Sequence, residues 1–97
     1  MSWTPSGRHF IAGEWIAGTT TFRSEPAHGQ AHDFAVGTTE LVDRACRAAE
    51  AAFAAFSATT REERAIFLEA IAEEIDKRGE AVTLIGTQET GLPEGRL

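Results

Sequence analysis

The chain has one cysteine in 97 residues, Cys46, so it cannot close a disulfide on itself. That usage fits a reducing cytoplasm. It is also short of positive charge: nine Lys and Arg stand against fifteen Asp and Glu, a net charge of −6. A surface that tracks phosphates needs clustered basic residues, so nucleic acid is not an expected partner. A polybasic membrane patch is excluded on the same ground. No apolar run nears the roughly 18 to 20 residues of a spanning helix, and residues 1–10 lack the charged-then-apolar profile of a secretory leader. Neither G-x-G-x-x-G nor G-x-x-x-x-G-K-[ST] occurs, which removes the two common phosphate-cradling loops. What remains is an ordinary folding composition, 42% apolar and 25% charged, at a length that predicts one structural unit.

Three zones follow one another. Residues 1–37 are rich in Gly, Thr, Trp, Phe and His and carry two of the three prolines. There His9-Phe10-Ile11 and Trp15-Ile16 flank Ala12-Gly13-Glu14, which predicts a β-hairpin with Gly13 supplying a positive φ. An extended piece at Thr21-Phe22-Arg23 stops at Glu25-Pro26, because proline disfavours helix in the residue before it. Gly29 marks a turn, and His32 to Val36 reads as a further short strand.

The zone from about Thr38 to Gly79 predicts two amphipathic helices. In the first, Thr39 is the expected N-cap, and Val42, Ala45, Cys46, Ala49, Phe53 and Phe56 recur as one apolar stripe. The second opens on Thr60 and Glu63 at capping-box spacing and carries Ala65, Leu68, Ile71, Ala72 and Ile75, with Phe67 at the border. Lys77-Arg78-Gly79 reads as a basic last turn followed by a C′ glycine. A third helix is expected over Glu80 to Thr90, weakened by Gly86 by about 1 kcal/mol relative to Ala and ended by Gly91 and Pro93. These elements are thinly supplied with large aliphatics, and no run reads as a buried parallel strand. The expectation is the edge of something larger.

Residue chemistry yields no catalytic centre. Cys46 sits on an apolar helical stripe, and Arg47 beside it points elsewhere, so a small buried packing residue is expected, not an activated thiolate. His9, His28 and His32 are dispersed, with no cysteine or acidic partner at ligand spacing, and read as surface loop histidines. Glu62-Glu63 and Glu73-Glu74 are neighbours that cannot face each other on a helix, hence solvated faces. Trp3 and Trp15 read as packing anchors. No catalytic, cofactor-binding or metal-ligating residue is therefore assigned from the residues alone.

Taken in order, several segments resemble the opening of an aldehyde dehydrogenase. Phe10-Ile11-Ala12-Gly13-Glu14-Trp15 matches the family's F-I-x-G-x-W, and Glu25-Pro26-Ala27-His28-Gly29 partly matches N-P-A-T-G, with Glu25 and His28 departing from it. Val42-Asp43-Arg44-Ala45 through Ala48-Ala49 to Ala52-Phe53 resembles V-D-x-A-x-x-A-A-x-A-F. Glu63-Arg64-Ala65, Leu68, Ile71-Ala72 and Ile75 resemble E-R-A-x-x-L-x-x-I-A-x-x-I, and Glu89-Thr90-Gly91 is the family's E-T-G. The ending Glu89-Thr90-Gly91-Leu92-Pro93, with Arg96-Leu97, is similar to the subgroup acting on α-ketoglutaric semialdehyde (2,5-dioxopentanoate).

The resemblance implies an α/β parent with a Rossmann-type cofactor domain, of which residues 1–97 are the N-terminal part. That segment is expected to be α+β, an N-terminal β-hairpin and extended region over 1–37, then two or three amphipathic helices over 38–97. The parent would be a cytoplasmic, NAD- or NADP-dependent enzyme oxidising a small oxo-acid semialdehyde, and a homodimer or homotetramer. Its nucleophilic Cys, general-base Glu, oxyanion-hole Asn and dinucleotide loop lie beyond the matched segment. The chain alone would then be inactive, with the remainder of the polypeptide as its partner. In some members the acidic residue of the E-T-G region helps to hold a structural monovalent cation, a role that falls by position on Glu89. The alternative is a free-standing α+β interaction module whose helical stripes dock a partner.

Overall fold

The computed structural model describes residues 3–97; Met1 and Ser2 of the opening zone lie outside the described residues. Two small antiparallel hairpins precede three helices. Strands β1 (His9–Ile11) and β2 (Glu14–Ile16) pair as His9 with Ile16, Phe10 with Trp15 and Ile11 with Glu14. The two-residue connection has φ 52° at Ala12 and 80° at Gly13, the double positive φ of a type I′ turn. Gly13 plays its expected part, and Ala12 also enters the left-handed region. That conformation costs an L-residue about 1 kcal/mol or more. Ala12→Asn, giving the favoured Asn-Gly pair, is expected to raise stability by about 0.5–1 kcal/mol, read as a higher urea midpoint with unchanged slope.

Strands β3 (Thr21–Arg23) and β4 (Asp33–Ala35) form a second hairpin, pairing Thr21 with Ala35, Phe22 with Phe34 and Arg23 with Asp33. The Phe rings stack with centroids 5.8 Å apart, and the Arg23 guanidinium reaches the Asp33 carboxylate at 3.0 Å. Both extended pieces were expected from the sequence, but not their mutual pairing, so the segment has two hairpins where one was foreseen.

Helix α1 spans Thr39–Ser57. Its N-cap is Thr38, not Thr39: the Thr38 hydroxyl accepts the Leu41 amide at 3.1 Å from an extended backbone, whereas Thr39 is already helical. Helix α2 (Arg61–Lys77) begins on the expected capping box, with the Glu63 amide donating to the Thr60 hydroxyl at 3.1 Å and the Thr60 amide donating to the Glu63 carboxylate at 3.0 Å. Gly79 does not end α2 in a left-handed turn. Arg78, at φ −105° and ψ 11°, is the joint, and Gly79 opens α3 (Gly79–Thr90). Gly91, at φ 74°, closes α3 by donating its amide to the Thr87 carbonyl at 2.9 Å, as expected.

Gly86 has a packing role that propensity conceals. A Cβ there would lie 3.0 Å from Leu97 Cδ1, so the glycine lets the residue after the single 3-10 turn Glu94–Arg96 lie against α3.

The described residues divide into two compact units of interleaved segments. One gathers residues 6–24 and 32–59, the hairpins and α1; the other gathers residues up to 5, 25–31 and 60–97. In the first unit α1 lies against β1, with Leu41, Ala45 and Ala48 half-buried and Arg44 reaching Glu14 of β2 at 2.9 Å. In the second, α3 is the central element, with residues 83 and 85–89 half-buried. Burial is slight in both: among the described residues only Ala35 and Ala81 fall below a tenth exposed, each at 8%. Seventeen large hydrophobic residues among those described are exposed, so most of the apolar surface that the described helices offer is uncovered. No helix among the described residues is long and apolar enough to cross a membrane.

Candidate functional site

The best-built constellation is where residues 25–31 meet the C-terminus of α3. Pro26 keeps Glu25 extended, and Gly29 turns the chain at φ 81° with its backbone against the Gln88 side chain, 3.1 Å from a would-be Cβ. The His28 amide donates to the Gln88 carbonyl at 2.9 Å and the Ala27 amide to the Glu89 carbonyl at 3.3 Å. These carbonyls belong to the last turn, which has no intrahelical partner of its own. Gly91 then passes close to Ala27, whose Cβ is 3.3 Å from where a side chain would start. The Thr90 hydroxyl donates to the Gly86 carbonyl at 2.6 Å and accepts the Leu92 amide at 3.1 Å. This is a backbone clamp, made by main-chain amides and two glycines. Its turn forms although Glu25 and His28 depart from the family motif, because those side chains supply none of its bonds.

The clamp places Glu89 half-buried beside residues 25–31, where the resemblance puts a cation-binding carboxylate. No group of three or more His, Cys, Asp or Glu side chains that could hold a metal ion is gathered among the described residues. His28 belongs to this unit, whereas His9 and His32 belong to the other. His9 lies on β1 and not in a loop, with Nε2 3.5 Å from the Val36 carbonyl oxygen. His32 is tied through its main chain to Ser24, its amide donating to the hydroxyl at 3.0 Å and its carbonyl accepting the Ser24 amide at 2.9 Å.

Cys46 is exposed, contrary to the expected burial. The hairpin seats on the Leu41, Ala45 and Ala48 flank of α1, which leaves the Cys46 flank open. Arg47 turns to Asp43 at 2.7 Å and leaves the thiol without a cationic neighbour on the helix. Of the tryptophans, Trp15 packs on Phe10 with centroids 4.8 Å apart and the rings tilted by 49°, under the Arg8 guanidinium at 5.8 Å. Trp3 lines a cavity of about 60 Å³ with Arg78, Ala81, Val82 and Ile85. Both are packing contacts.

One member of each acidic pair, Glu63 and Glu74, serves a helix end. The Thr60 amide and hydroxyl hold the Glu63 carboxyl below its usual range. Hydrogen bonds from Arg78 and then Lys77 lower Glu74. For both groups the folded value is depressed, so their stabilisation is present above the unfolded carboxyl's range and lost as pH falls through the lowered folded value. Thr60→Ala removes the cap and is expected to cost about 1 kcal/mol at neutral pH. The difference from the parent chain, followed by helical circular dichroism during urea unfolding, should narrow on acidification as Glu63 protonates.

A dinucleotide does not fit these residues. One concavity of about 300 Å³ is an open groove lined by Gly79, Glu80, Thr83, Leu84 and Glu94, whose two carboxylates oppose a pyrophosphate. The small apolar cavity under Trp3 has room for no more than a few atoms.

Comparison with known proteins decides what this scaffold belongs to. The model of the aldehyde dehydrogenase family matches residues 15–96. The chain belongs to the aldehyde dehydrogenase family. It is similar to alpha-ketoglutaric semialdehyde dehydrogenase 2 of Azospirillum brasilense, 41% identical over 97 residues, covering 95% of this chain and 18% of that protein. It is also similar to alpha-ketoglutaric semialdehyde dehydrogenase of Acinetobacter baylyi, 33% identical over 96 residues, with 95% of this chain and 18% of that protein covered. The chain thus spans under a fifth of the length of these aldehyde dehydrogenase relatives. The matched region takes in α1, α2, α3 and the clamp.

Proposed function

We propose that this chain is the N-terminal part of the cofactor-binding domain of an NAD(P)-dependent aldehyde dehydrogenase that oxidises a small oxo-acid semialdehyde to its carboxylate. The observation that carries the reading is the family match over residues 15–96 together with two relatives both named for α-ketoglutaric semialdehyde. The nicotinamide cofactor supplies the hydride acceptor when bound, and the groups that hold it and attack the aldehyde belong to the portion of the family outside these residues. This chain contributes scaffold: the clamp fixes the end of α3, and the helices offer apolar faces to the rest of the domain. In this reading the protein works in the cytoplasm as a homo-oligomer.

The test joins the chain at Leu97 to the portion of the A. brasilense enzyme that follows its matched region. The joined protein should oxidise 2,5-dioxopentanoate with formation of NADH or NADPH, while the 97-residue chain alone gives no turnover. Turnover by the chain alone would overturn the scaffold assignment. A joined protein that oxidises simple alkyl aldehydes but not the semialdehyde would overturn the substrate class.

A further inference from the structure

We draw no further inference here: the strongest candidate, the small apolar cavity that Trp3 closes over Arg78, Ala81, Val82 and Ile85 at the α2–α3 joint, belongs to an apolar surface still open at Trp3 and Val82, and nothing in the structure shows what covers it.

Discussion

Gly7→Ala is expected to dissolve the second hairpin, at a cost of about 3 kcal/mol or more. Gly7 sits at φ 69°, and a Cβ added there would lie 2.1 Å from the Asp33 carbonyl oxygen and 3.3 Å from Phe34 Cα. Both neighbours are backbone, so no side chain can swing away. The Gly7 carbonyl also accepts the Ala35 amide at 2.7 Å, and Ala35 is one of the two buried residues. Moving Gly7 therefore strains β4 and removes this anchor together. Gly13→Ala is the control: φ is 80° but nothing lies within 4 Å of its Cβ, so only the backbone cost of about 1–2 kcal/mol applies. Amide exchange read by NMR should show the Ala35 protection lost in Gly7→Ala and kept in Gly13→Ala. Equal effects of the two would mean that the steric collision is relieved at little cost.

The second large effect is expected at the clamp. Gly91→Val puts a β-branched side chain at φ 74°, where such residues are strongly disfavoured, and directs its Cβ to 3.3 Å from Ala27 Cβ. The helix loses its left-handed terminus, and the two amides that satisfy the Gln88 and Glu89 carbonyls lose their geometry. A destabilisation of about 2 kcal/mol is expected, with faster exchange of the Ala27 and His28 amides and no change at Ala35. An unaltered exchange rate at Ala27 and His28 would show that Pro26 and Gly29 hold the loop without help from α3.

What the sequence made legible was local. The Thr60–Glu63 capping box, the turn about Gly13 and the Gly91 terminus each depend on a few adjacent residues; the first and last are present as read, and the turn is one residue shorter than the Ala12-Gly13-Glu14 expected, with Glu14 already in β2. The shift of the cap from Thr39 to Thr38 is a choice between two chemically equal neighbours, settled by where the backbone becomes helical. What was not legible depends on contacts between distant residues. The pairing of Phe22 with Phe34 was foreshadowed only by matching positions about the intervening loop and by the opposite charges of Arg23 and Asp33. The clamp uses backbone amides of Ala27 and His28, which no side-chain pattern announces. Cys46 was misplaced because periodicity shows how wide an apolar arc is, not which half of it a neighbour takes. Gly86 read as a weakness in a helix and proved to be clearance for Leu97.

Family and geometry meet in the amount of apolar surface left open. A free-standing module of this length would be expected to bury several large side chains, whereas here the two most buried residues are alanines. The most direct test of that account is backbone amide exchange over α2, whose Ile66, Leu68, Ile71 and Ile75 are all exposed. In the 97-residue chain alone, α2 amides should exchange within about a hundredfold of unstructured rates. In the joined protein they should slow by at least a thousandfold. Strong, cooperative protection of α2 in the chain alone would contradict the account and establish a self-sufficient domain.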